Sequence, residues 1–161
     1  MLIFKKNILC CIAIAFTCFF PQALQADPGK SEYKDQFTSL LHKKEIVYTN
    51  LKGNNVSVAY TLNDKPVSIR IAFNENGDGY VSLYCFDLAK NIKDTSKIIP
   101  ACNEINAQYK WVKFYVDKDN DLVASFNAKI DKETGADECL EILLRMCNII
   151  KEAYPVLMKG I

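Results

Sequence analysis

Nucleophilic catalysis needs a serine or cysteine beside a positioned base, and this chain has one histidine, His42. His42 stands next to Lys43 and Lys44 at the end of an apolar-periodic stretch, the setting of a solvated helix end. Glu138 and Glu141 could share acid–base work as a carboxylate pair, but both fall on the polar line of a helix. Cys85, Cys102, Cys139 and Cys147 follow three cysteines near the N-terminus, and no C-x-x-C spacing occurs. With one histidine there is no zinc-ligand pattern. Cys139 and Cys147 lie eight residues apart on one helical stretch, a rise of about 12 Å that no disulfide spans. A disulfide would have to join other elements; the alternative is four thiols packed as small hydrophobes on apolar-periodic positions. Asn76-Gly77-Asp78-Gly79 resembles a calcium loop only in composition. Without spaced ligands and a distal glutamate it reads as a hairpin turn in which glycine supplies positive φ. Asn103 and Asn106 lie off the apolar stripe of their helix, as ligand-binding amides or as amides bonded to nearby backbone or water. No catalytic residue, cofactor site or metal site is expected, and the chain is not read as an enzyme.

What remains is a surface for binding. Tyr80, Tyr84, Trp111 and Tyr115 fall at outward positions of alternating segments, among small polar residues. Aromatic side chains of this kind are enriched at protein interfaces. The competing reading pairs them within the sheet under the chain's own helices. The four are the candidate interface.

These residues need elements to hold them. Tyr33, Phe37, Leu40 and Leu41 form a helical stripe with Ser31 as its cap. Residues 46–49 read as a short strand or an extended connection. Val56 to Leu62, Val67 to Phe73 and Tyr80 to Phe86 alternate with period two, separated by Asn63-Asp64-Lys65-Pro66 and the Asn-Gly-Asp-Gly turn. This is an antiparallel meander with one buried face. Ile98, Cys102, Ile105 and Tyr109 make a second helical stripe, capped by Asp94, Thr95 or Ser96 and beginning near Lys97 because Pro100 fits only its first turn. Val112, Phe114 and Val116 face inward on the next strand, with Trp111, Lys113 and Tyr115 opposite. After the turn at 117–121, Leu122 to Ile130 forms the last strand.

Thr134-Gly135-Ala136-Asp137 has the spacing of a capping box and opens a helix to Met158, with Pro155 bending or ending it. Its apolar arc is wider than one sheet contact needs and must also meet a neighbouring helix or a partner chain. Glu141 and Arg145 stand at a favourable i,i+4 spacing on its polar side. The fold class is α+β: a twisted antiparallel sheet of about five strands with three packed helices, in the order α-β-β-β-α-β-β-α.

The chain's 161 residues suggest one domain. Lys5 and Lys6, the uncharged run from Ile8 to Phe20, Pro21, and a small residue at Ala26 give the tripartite pattern of a secretory signal peptide. The run is shorter than the ~20 residues a span needs. The expected divisions are a signal peptide over 1–26, a linker over 27–30 and a domain over 31–161. The product would be exported, periplasmic or secreted, and not membrane-bound after cleavage. Cleavage takes two lysines from 20 basic residues and leaves 18 against 19 acidic ones. That near-neutral balance, with Arg70 and Arg145 the only arginines, excludes the electrostatic footprint of a nucleic-acid binder.

The segments Ala101-Cys102-Asn103-Glu104-Ile105-Asn106, Lys110 to Asp117 (KWVKFYVD), Leu144-Arg145-Met146 and Ala153 to Met158 (AYPVLM) resemble the YbjN family, whose members carry the label of bacterial sensory transduction regulators. The resemblance runs from Ser31 to Lys159 and is densest in the second half. It implies an α+β fold similar to type III secretion chaperones and supplies no catalytic residues to transfer. An export leader departs from a regulator working beside cytoplasmic proteins. The reading is an exported, non-catalytic protein-binding or regulatory module, with an unidentified protein partner and a homodimer as one option. The alternatives are a secreted inhibitor or effector acting on another protein and, last, an uncharacterised enzyme.

Overall fold

A computed structural model describes residues 32–74, 76 and 78–161. The expected signal peptide and linker, and the Ser31 cap, lie outside them. Helix α1 (Glu32–Lys43) buries Phe37 and Leu41 and carries Glu32 and Asp35 in its first turn, His42 and Lys43 in its last, the carboxylates and Lys43 matching the helix dipole. Strand β1 (Tyr48–Leu51) settles the open reading of residues 46–49 and brings the sheet to six strands. Strands β2 (Asn55–Leu62), β3 (Lys65–Phe73) and β4 (Tyr80–Ala89) complete the meander. Helix α2 (Ile98–Gln108), strands β5 (Lys113–Val116) and β6 (Leu122–Lys129), and helix α3 (Gly135–Leu157) follow, and a 3-10 turn closes the chain. All strand pairs are antiparallel, in the order β1-β2-β3-β4-β6-β5.

Turn chemistry fixes the register. Asn63 and Asp64 both take positive φ, at 47° and 63°, the two-residue loop whose twist suits a hairpin. The turn is therefore tighter than expected: Lys65 and Pro66 already belong to β3, opposite Leu62 and Thr61. Pro66 is tolerated because β3 meets β4 only from Ile69 onward, so no ladder bond is lost there. At the next turn Gly79 has φ +80°, and a Cβ would stand 2.5 Å from the Ile130 carbonyl oxygen. The Ile130 N–H in turn donates to Gly79 O at 2.9 Å.

With the register set, period-two alternation becomes two faces. Val56, Ile71, Leu83 and Phe126 lie opposite one another across four strands, and Val58, Ile69, Cys85, Ala124 and Phe114 across five. All of these are buried. The other face carries Asn55, Ala72, Ser82 and Asn127, then Ser57, Arg70, Tyr84, Ser125 and Lys113. Small and polar residues there leave little apolar area to drive a second layer of helices.

The helices cover the apolar face. Phe37 of α1 meets Phe73 of β3 with ring centroids 5.7 Å apart. The wide arc of α3 includes Cys139, Leu143, Met146, Cys147, Ile150 and Leu157. It is satisfied inside the chain, since α3 packs on both α1 and α2 and the tyrosine Tyr60 of β2 donates to Cys147 O at 3.4 Å. Of its large apolar residues Leu144 alone is strongly exposed. The helix passes Pro155 by two residues before the 3-10 turn takes over. No helix among the described residues is long and apolar enough to cross a membrane.

Two expected caps are corrected. Lys97 precedes α2 and makes no side-chain cap bond. Asp94 instead accepts the Ser96 N–H at 2.9 Å in a local turn that also holds its carboxyl below the usual carboxylate range. Thr134 sits in the helical region and does not cap the backbone. Its hydroxyl turns to Glu138 rather than pairing the box with Asp137, and Glu138 also accepts the Asp131 N–H.

Candidate functional site

The structure divides the four candidate aromatics between two places. On the helix-free face, Tyr84 stacks on Phe86 with centroids 5.4 Å apart, and Tyr115 lies across β6 from them. Val123, opposite Tyr115 in the β5–β6 pair, is fully buried although it points away from the helical core. Burial first, and the Tyr84 phenol next, push the Tyr115 phenol up from its ordinary value, against a hydrogen bond with Ser125 that lowers it. Tyr84, Phe86, Tyr115, Ser125 and Val123 thus form a small aromatic patch on an otherwise polar sheet face. Phe86 was missed as a binding residue because its strand is apolar on both sides in sequence.

Trp111 is elsewhere. β5 begins only at Lys113, so Trp111 is not held by the strand's alternation. Its ring stacks on Phe126 at 6.3 Å with an 11° interplanar angle, and Phe126 belongs to the core face. Trp111 is 58% exposed and walls a groove of about 460 Å³ together with Phe126, Ala128 and, from α3, Ile142 and Arg145. Tyr80, 54% exposed, flanks the same groove with Lys129, whose ammonium lies 5.8 Å from the Tyr80 ring centroid. Arg145 forms no ion pair with Glu141 despite the spacing, and neither Arg145 nor Lys129 has a carboxylate partner among the described residues.

Asn106 resolves to backbone bonding. Its side-chain amide donates to Phe114 O at 2.8 Å and accepts from Phe114 N–H at 2.8 Å. These two groups face away from β6, so the amide fills the place of a neighbouring strand's peptide. Asn103 is exposed. His42 is exposed at the end of α1, and Glu141 is exposed on α3.

The Asp78 carboxylate is used within its own turn. It accepts from Asn74 Nδ2 and from the Tyr80 N–H at 3.0 Å. No cluster of three potential metal ligands occurs among the described residues. Cys85, Cys102, Cys139 and Cys147 are free, buried thiols. Burial pushes Cys139 and Cys102 up, and burial with the neighbouring Cys85 pushes Cys147 up to about 12. Reactive thiols have lowered values and partial exposure; Cys102, Cys139 and Cys147 have neither, and Cys85 is buried.

Among solved structures the chain is similar to YbjN from E. coli. The identity is 16% and the TM-score 0.56, over 77% of this chain and 88% of that one, a likeness of fold. It also aligns with the Yersinia pestis type III secretion chaperone SycH in complex with a stable fragment of YscM2, at 15% identity and TM-score 0.46, covering 77% and 98%. The ExsC–ExsE complex aligns at 10% identity and TM-score 0.45, covering 74% and 90%. Those two scores are too low to support an argument. No curated protein matches. The YbjN family model, described as "Putative bacterial sensory transduction regulator", matches residues 35–153, nearly the whole of the described fold from α1 into the last turns of α3, and the chain belongs to the YbjN family.

Proposed function

We propose that the chain is an exported, non-catalytic module that works by binding another protein through its sheet. The observation that carries this reading is the aromatic patch of Tyr84, Phe86 and Tyr115, set on a sheet face that no helix among the described residues covers. Aromatic anchors surrounded by small polar residues are the composition of an interface hot spot. The family's regulatory description fits a protein that acts by association. The export half of the proposal rests on the leader-like residues 1–26, and intact-mass measurement of the chain made by its host should show loss of those residues.

The binding half is tested by cross-linking the chain in its host and weighing what co-purifies. One stoichiometric partner is expected, lost from a Tyr84→Ala, Tyr115→Ala double variant that keeps its thermal midpoint. Recovery of no partner, or of the same partner by the variant, overturns the role of this face. An uncleaved product overturns export.

A further inference from the structure

At its C-terminal end β6 carries a stretch of backbone that lies beyond the register of its neighbour β5. In an antiparallel ladder the N–H and C=O of successive residues point to alternate sides. Phe114 turns its pair outward to Asn106, so Lys113 and Tyr115 bond to their β6 partners, Ser125 and Val123. On β6 the odd-numbered residues therefore face β5. On the other side of β6, the Ile130 N–H reaches Gly79 O beside β4, the same phase from an independent bond. By that phase Asn127 and Lys129 also direct their N–H and C=O toward the β5 side. There β5 has already ended, because its register stops at Lys113 opposite Ser125. Two donors and two acceptors, about 7 Å apart along the strand, are presented to the groove beside Trp111.

We infer that this edge receives an extended segment of a partner protein as an added strand, and that the segment carries an apolar side chain next to a carboxylate. The backbone of Asn127 and Lys129 provides the ladder; main-chain bonds give such sites affinity and flanking pockets give them specificity. Phe126, Ala128, Ile142 and the Trp111 ring form an apolar floor on the helix side. Arg145 and Lys129 stand at the margins as cations without carboxylate partners among the described residues, and none of the lining residues is acidic. A second copy paired edge to edge would bring together two sets of these cations with no acid between them, which disfavours self-pairing. The inference rests on the protein-binding reading but places the contact at a different surface from Tyr84 and Tyr115.

The test is a selection of short displayed peptides against the chain as its host produces it. Enriched peptides should alternate apolar residues with aspartate or glutamate. Their binding should fall at least about tenfold with Arg145→Glu, and by a similar factor when a central peptide amide is N-methylated. Bound peptide should slow hydrogen exchange at the Asn127 and Lys129 amides and shift the emission of Trp111, the single tryptophan. Arg145→Ala, at an exposed position, guards against a charge reversal that disturbs folding. No enrichment, enrichment of basic peptides, a complex of two copies of the chain, or peptides that leave those two amides unprotected would each overturn the inference. The partner captured through Tyr84 and Tyr115 would remain in all of these cases, so the two readings fail separately.

Discussion

At single residues, two kinds of polar chemistry sit in or beside a small core. Asn106 forms two hydrogen bonds to one backbone residue. Asn106→Ala removes both and should cost about 1–2 kcal/mol, read as a lower denaturant midpoint with an unchanged slope. Asn106→Asp at neutral pH should cost a comparable amount, because a carboxylate accepts from the Phe114 N–H but has nothing to donate to its carbonyl. The thiols give a pH dependence. Cys147 is pushed up to about 12 when folded, from an ordinary 9.0. The folded state therefore holds its proton more tightly than the unfolded chain. Its contribution is complete below about pH 9 and is lost as pH rises toward about 12. Thermal midpoints measured from neutral to alkaline pH should fall above pH ~9, and Cys147→Ala should fall less steeply.

Among the elements, Gly79 joins the start of β4 to the end of β6, and its conformation is closed to other residues. Gly79→Ala places a Cβ against the Ile130 carbonyl at positive φ, and should destabilise by about 1–3 kcal/mol, seen by thermal unfolding. The strands and helices themselves were legible in sequence, because alternation of Val67, Ile69, Ile71 and Phe73 or the steps of Ile98, Cys102 and Ile105 report burial directly. β1 was half legible: its four residues show an intermediate-exposed-exposed-intermediate pattern because it is an edge strand with no buried row to mark it.

The candidate site was less legible. Tyr84 and Tyr115 follow from alternation, but Trp111 precedes its strand, and alternation has no authority there. The neighbours it gained, Ile142 and Arg145, are more than thirty residues away. Arg145 looked like one half of a helical ion pair; its meeting with β6 depends on how α3 crosses the sheet, which no local pattern encodes. The caps failed for a related reason. Side chains of Asp94 and Thr134 found bonding partners in their own turns and left the helix ends to other groups.

For the molecule as a whole, the apolar arc of α3 needs no second chain, since α1, α2 and the sheet cover it. Light scattering on the chain as its host produces it should give the mass of one chain. A dimer would have to form through a surface other than that arc. The two sheet faces divide the work: one holds the core and the other is left to water and to whatever binds it.

The order of the six strands has one more consequence. A sheet that is not closed has two outer strands, here β1 and β5. If both offered free backbone, β5 of one molecule could pair with β1 of the next, a head-to-tail contact that never closes and grows as a filament. The Asn106 amide occupies the Phe114 peptide on the β5 side and so withholds it from such a lattice. Its loss would change more than a folding free energy: polymerisation that is silent in the native chain would gain a growing tip.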